Sequence, residues 1–230
     1  MTQKLVKIQI TQVFEKDRNL GQKMREIEFN LDENPFKDFL SSRYSMSARV
    51  NVEGLWKYCH ENEKSFFVMS LGCLMNGLNK VPQLKRRLID GKAYEFDYLE
   101  ATTPIMDEDN EVYMEMRVRT PQCFESVSNW HDYVRNLSSD ILSGKKEGFD
   151  LDMHLRDYEN IANFSCIPWV DFDTLTTCIV ESNQIQPLVS WGKVSKDYEM
   201  SVAISVNHLF VNGRELGHFY ENIQDEFNRF

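Results

Sequence analysis

The strongest constraint on this chain lies in its C-terminal third. The stretches NFSCIPWVDFDTLTTCIV, IQPLVSWGKV and MSVAISVNHLFV are nearly continuous in apolar and small residues. Strands buried on both faces read this way. Gly213 follows, then RELGHFYENIQDEF, whose apolar residues Leu216, Phe219, Tyr220, Ile223 and Phe227 recur at the spacing of an amphipathic helix. Upstream, Ser65 to Leu78 (SFFVMSLGCLMNGL) is apolar nearly all round, so it predicts a buried helix with Ser65 as its cap.

The remaining elements are read in the same way. Arg43 to Val52 alternates like a strand, and Glu53 to His60 reads as a short helix. Asp90-Gly91 between strand-like flanks predicts a hairpin with a type I′ turn. Glu111 to Val118 alternates like a half-exposed strand, and Pro121 and Ser126 introduce a helix running to about Leu142. Phe14 to Glu33 is charged and without clean periodicity, fitting a connecting segment or a hairpin. Mixed helices and strands point to an α/β or α+β two-layer sandwich. No repeat or linker divides the 230 residues, so one domain over 1–230 is expected.

Composition excludes some functions. The net charge is -10, from 36 acidic and 26 basic residues. A nucleic-acid partner is not expected, because phosphate neutralisation needs a dense basic surface. No apolar run reaches membrane-spanning length, and MTQKLVKIQI lacks the apolar core of a signal peptide, so neither membrane nor export is expected. Cys59, Cys73, Cys123, Cys166 and Cys178 are odd in number and show no C-x-x-C spacing. They read as free thiols of a reducing cytoplasm, and no metal is expected.

Of the five histidines, His60, His131 and His154 sit among charged residues and are expected to be solvated. His218 lies on the C-terminal helix and is expected to pack or cap locally. His208 ends the apolar strand and is followed by Asn212-Gly213 and a helix. A strand end before a turn and helix suits a functional imidazole. On these residues alone a buried structural histidine is the commoner explanation.

Taken together, the motifs carry a resemblance. SVNHLFVNGRELGHFYENIQ resembles the catalytic signature of the chloramphenicol acetyltransferase family, with His208 on the second histidine of its pair and Gly213 on its glycine. NFSCIPWVDFDTL is similar to the family's Ser-x-x-Pro-Trp-x-x-Phe segment through Ser165, Pro168, Trp169 and Phe172. PLVSWGK is similar to the strand between them, with Ser190 at a threonine position and Lys193 on a lysine. LKRRLIDGKAYEFD resembles the hairpin after the long helix. The match is collinear from about Tyr44 to the C-terminus.

The resemblance implies a mixed β-sheet with helices packed on one face, and a single acetyltransferase domain. It implies direct transfer of acetyl from acetyl-CoA to a hydroxyl of a small molecule, chloramphenicol foremost, with the antibiotic resistance this entails. His208 would be the general base, its other nitrogen held by a backbone carbonyl, and Ser165 would donate to the oxyanion. Ser190, Asn212 and Gly213 would support the site. Lys193, Trp169 and, more weakly, Lys64 would meet CoA. Tyr44, Tyr113 and Phe149 would line the acceptor pocket. The family's homotrimer places each active site between two subunits. A covalent Ser-His triad lacks its G-x-S-x-G elbow here. The competing reading is a relative with another acceptor or a non-catalytic binding role. A more distant option is the acyltransferase core of 2-oxo acid dehydrogenase complexes.

Two positions depart from the family pattern. Asn207 replaces the first histidine. Asn212 replaces an aspartate that pairs with an N-terminal arginine. Arg18 and Arg25 are the only N-terminal candidates for that arginine, and its position by count falls near Asp32. The expectation is that both halves of the pair are absent and that Asn212 makes neutral bonds. TTPIMDEDNEVYMEMRV and SGKKEGFDLDMHLRDYEN do not follow the family closely, which leaves the acceptor open.

Overall fold

The structure is a computed structural model that describes residues 24–107, 112–149, 159–178 and 184–230. Its main sheet has six strands: β2 (Arg43–Asn51), β5 (Glu100–Asp107), β6 (Val112–Val118), β7 (Ile161–Cys166), β8 (Leu188–Val194) and β9 (Glu199–Asn207). Their order is β2-β9-β8-β7-β5-β6. The pairs β5–β7 and β7–β8 are parallel and the others antiparallel. A second sheet, in the order β1-β4-β3, joins β1 (Met24–Ile27) to a hairpin of β3 (Arg86–Ile89) and β4 (Lys92–Phe96). At the hairpin tip Asp90 and Gly91 adopt φ of 50° and 78°, as a type I′ turn requires. The mixed sheet has the expected form.

Among the described residues four α-helices supply the second layer: α1 (Glu53–Glu61), α2 (Phe66–Asn79), α3 (Val127–Leu142) and α4 (Gly213–Phe227). The Ser65 hydroxyl accepts from the Val68 N–H at 3.4 Å and starts α2, whose residues from Val68 to Met75 are all buried. The Ser126 hydroxyl accepts from the Asn129 N–H and starts α3. Gly77 lets α2 approach α4 so closely that an added Cβ would overlap Ile223.

Strand alternation gives the main sheet two unlike faces. Phe164, Val189, Trp191, Val202, Ile204 and Val206 join the hydrophobic core with the helices. The other face presents Asn163, Ser190, Ser201, Ser205 and Asn207, and these too are buried. The segment after β7 covers them. Arg43 donates to the carbonyls of Gln184 and Gln186 and to the Ser205 hydroxyl, and Arg49 pairs with Asp171 and Asp173. The sequence reading extended a strand through NFSCIPWVDFDTLTTCIV, but β7 stops at Cys166. Pro168 and the turn after it carry the chain away from the ladder, because proline offers no N–H to a neighbouring strand.

Candidate active site

β9 is buried from Met200 to Asn207 and delivers His208 to its end. The imidazole stacks on the Phe36 ring, with centroids 3.8 Å apart and planes 17° apart. The Tyr44 ring also packs against it, with centroids 4.6 Å apart and planes tilted by 32°. The expected backbone carbonyl at the second nitrogen is not found: Nδ1 is buried and has no hydrogen-bond partner among the described residues. Aromatic contact orients this ring instead. The His208 N–H donates to the Ser42 carbonyl at 2.7 Å, so the backbone of the turn is fixed even though Nδ1 is not.

Asn207 explains itself in this setting. Its amide oxygen accepts from the Leu209 N–H at 2.9 Å and its amide nitrogen donates to the Gln184 carbonyl at 3.3 Å. Asn212 is exposed and precedes α4, where its N–H donates to the Glu215 carboxylate at 2.9 Å. Among the described residues no arginine is bonded to Asn212. Arg25 pairs with Glu95 at 2.6 Å, Asp32 lies beside Lys37, and Arg18 falls outside the described residues. An added Cβ on Gly213 would meet nothing within 4 Å, so the chain's own packing does not demand glycine there.

Ser165 sits on β7 opposite Ser190 of β8, and Ser190 pairs with Ala203 of β9. Ser165 is half-buried and its hydroxyl makes no hydrogen bond among the described residues. Ala203 is five positions short of His208, a distance of about 17 Å at the rise of a strand. Ser165 lies two strand spacings across from Ala203, on the order of 20 Å from His208. One chain therefore does not bring the imidazole and the serine together.

The backbone segments that carry Lys193 and Trp169 run side by side. The Lys193 N–H donates to the Val170 carbonyl at 2.9 Å, and the Ile167 N–H donates to the Trp191 carbonyl at 2.8 Å. Gly192 permits this approach, because a Cβ there would sit 2.7 Å from the Val170 oxygen. Lys193 is exposed and Trp169 is 64% exposed, so Trp169 is no core residue. Lys64 does not join them as a free cation. Its ammonium donates to the Ser128 hydroxyl at 3.2 Å and lies 3.7 Å from Asp132, because α3 starts alongside.

Of the proposed acceptor residues, only Tyr44 touches His208. Tyr113 lies on β6, 65% exposed, and the Phe149 N–H bonds to Glu115 on the same strand. Four strand spacings separate β6 from β9, roughly 19 Å. The other histidines need two corrections. His131 is buried: its Nε2 accepts from the Ser65 N–H, and its Nδ1 meets Asp132 at 3.0 Å. Its charged sequence neighbours lie around a helix, and position 131 faces inward beside Trp130 and Val134. His218 is exposed on α4 rather than packed. His60 is exposed as expected, and His154 lies outside the described residues.

Sequence reasoning missed Asn34, Phe39 and Ser42, which surround the His208 turn. The Asn34 amide donates to the Leu209 carbonyl at 3.1 Å, Phe39 meets Phe36 edge-on, and Ser42 is buried. Asn34-Pro35 was a legible turn signal, but its reach across to residue 209 was not. A separate cleft of about 400 Å³ lies among α2, α3 and α4. Two of its charged groups, Lys80 and Arg229, already pair with a third, Glu226. Among the described residues no group of three potential metal ligands occurs, and no helix is long and apolar enough to cross a membrane.

A mixed sheet with helices on one face, a central strand ending in a stacked histidine and a turn into an amphipathic helix is the fold of the chloramphenicol acetyltransferases. The family model described as chloramphenicol acetyltransferase matches residues 21–224, and the chain belongs to this family. It is 17% identical over 197 residues to chloramphenicol acetyltransferase 3 of Escherichia coli, covering 84% of this chain and 89% of that one. It is 20% identical over 186 residues to the chloramphenicol acetyltransferase of Bacillus pumilus, covering 79% and 81%. A solved chloramphenicol acetyltransferase structure superposes with a TM-score of 0.76 at 20% identity, covering 89% of this chain and all of that one.

Proposed function

We propose that the protein transfers acetyl from acetyl-CoA to a hydroxyl of a small molecule, with chloramphenicol the leading acceptor. Family membership supports the reaction class. The single observation that carries the mechanism is His208, clamped by Phe36 and Tyr44 at the end of a rigid buried strand. His208 Nε2 takes the proton from the acceptor hydroxyl as its oxygen attacks the thioester carbonyl. The Ser165 hydroxyl, free of other bonds among the described residues, donates to the oxyanion, and Ser190 supports it from the next strand. Collapse of the intermediate expels CoA thiolate.

The separation of Ser165 and His208 within one chain supports the second part of this reading. A homotrimer sets His208 of one subunit against Ser165 of the next, and completes the acceptor pocket with residues of both. CoA is anionic, and Lys193 beside exposed Trp169 suits its phosphate and pantetheine portions. The low identity to the curated relatives and the distance of Tyr113 and Phe149 from His208 leave room for another alcohol as acceptor.

Thiol release from acetyl-CoA in the presence of chloramphenicol tests the reading. Turnover is expected in the wild type, with a loss of several orders of magnitude in His208→Ala. Ser165→Ala is expected to lose roughly 100-fold, as an oxyanion donor does. Thiol release with another alcohol but not chloramphenicol would keep the chemistry and discard the named acceptor. No release with any alcohol would favour a binding protein that kept the fold.

A further inference from the structure

We propose that Asn34 and Ser42 are positioning residues for His208, acting through Phe36; this rests on the transfer reading above. Phe36 presents the ring on which His208 stacks, and both of its backbone polar groups are held by these two side chains. The Asn34 amide oxygen accepts from the Phe36 N–H at 2.9 Å. The Ser42 hydroxyl donates to the Phe36 carbonyl at 2.7 Å. Each residue also grips the His208 turn directly. The Asn34 amide nitrogen donates to the Leu209 carbonyl at 3.1 Å, and the Ser42 carbonyl accepts from the His208 N–H at 2.7 Å.

The four bonds close one frame around the imidazole. Asn34 and Ser42 thus tie the backbone of the stacking residue Phe36 to the backbone at positions 208 and 209 at two points. This matters because His208 Nδ1 has no hydrogen-bond partner among the described residues. A ring without a hydrogen bond at its inner nitrogen is oriented by packing alone, and the orientation of that packing is set by whatever fixes Phe36. Ser42 is 5% exposed, so its bonds face little competition from water. Tyr44 adds a third tie, its hydroxyl donating to the Val211 carbonyl at 3.1 Å. Burial, followed by the nearby Glu215 charge, pushes the Tyr44 phenol up, which keeps it a neutral donor. All these ties are uncharged.

The frame is tested with Asn34→Ala and Ser42→Ala, and with Asn34→Asp, which keeps an acceptor for Phe36 but loses the donor to Leu209. Two measurements are made on each full-length variant: steady-state thiol release, and the ¹H–¹⁵N resonances of the His208 ring at neutral pH. The expected result is altered or broadened His208 ring resonances in all three. With it comes a drop in kcat of about five- to tenfold, as for a misoriented base, with KM for acetyl-CoA held within twofold. His208 ring resonances identical to the wild type in every folded variant would overturn the proposal, whatever the kcat. Because the spectra need no turnover, failure of the wild type to release thiol would sink the transfer reading alone.

Discussion

Mixing two inactive variants should restore activity. His208→Ala chains keep Ser165, and Ser165→Ala chains keep His208. Within a chain the two positions lie just past β9 and on β7, with β8 between them and five residues of offset along the direction of β9. That places them on the order of 20 Å apart, far beyond the ~3 Å needed between base, attacking oxygen and oxyanion donor. If each site takes its histidine from one subunit and its serine from the next, random co-assembly at equal amounts produces intact pairs by chance. The histidine side is wild type in half the cases and the serine side in half. About a quarter of the sites are then complete in a cyclic assembly. Co-refolded mixtures should therefore recover about a quarter of wild-type thiol release, against nearly none for either variant refolded alone. Recovery should follow the product of the two fractions as the mixing ratio is changed. A mixture no more active than its parents would refute the shared site, and with it the assignment of Ser165 to the same reaction as His208.

Further outcomes follow from individual contacts. Phe36→Ala removes a stack worth about 0.5–1.5 kcal/mol, so kcat should fall roughly two- to tenfold while the thermal midpoint moves little; an unchanged kcat would show that the ring does not orient His208. Gly77→Ala forces a methyl into Ile223 between α2 and α4 and should cost about 1–3 kcal/mol in urea unfolding, with an unchanged midpoint counting against the packing described. Burial alone would raise the Glu226 carboxyl, but bonds from Lys80 and Asn76 and the Arg229 charge outweigh it and hold it below its ordinary 4.5. A carboxylate depressed on folding adds stability above its unfolded pKa and loses it as pH falls through the folded value. Stability of the wild type should therefore drop below about pH 4.5 more steeply than that of Glu226→Gln, and parallel acid profiles would contradict the pairing.

Much of the architecture was legible because it depends on local pattern. The capping serines 65 and 126, the Asp90-Gly91 turn, the all-round apolar helix and the amphipathic C-terminal helix each follow from spacing and side-chain type over a few residues. His208 was legible as the end of a buried strand, and the ordered motifs around Ser165, Trp169 and Lys193 gave it a family context. His131 was misjudged, and the partners of Lys64 went unseen, for one physical reason. Both are charged or polar in a charged stretch, but packing of α3 against the start of α2 gave them partners that their own sequence neighbourhoods do not show.

By itself the sequence determined the helices with their caps, the Asp90-Gly91 turn and the buried strands leading to His208, along with the side-chain types at residues 165, 190, 193 and 208. Those are consequences of periodicity, capping and residue type, which act over a few positions. The tertiary structure decided what surrounds His208: a phenylalanine from residue 36, an asparagine from residue 34 and a serine from residue 42, brought to it across more than 160 positions. It also decided that Ser165 and His208 stand apart in one chain, because strand order and register, not sequence separation, set the distance between two residues of a sheet.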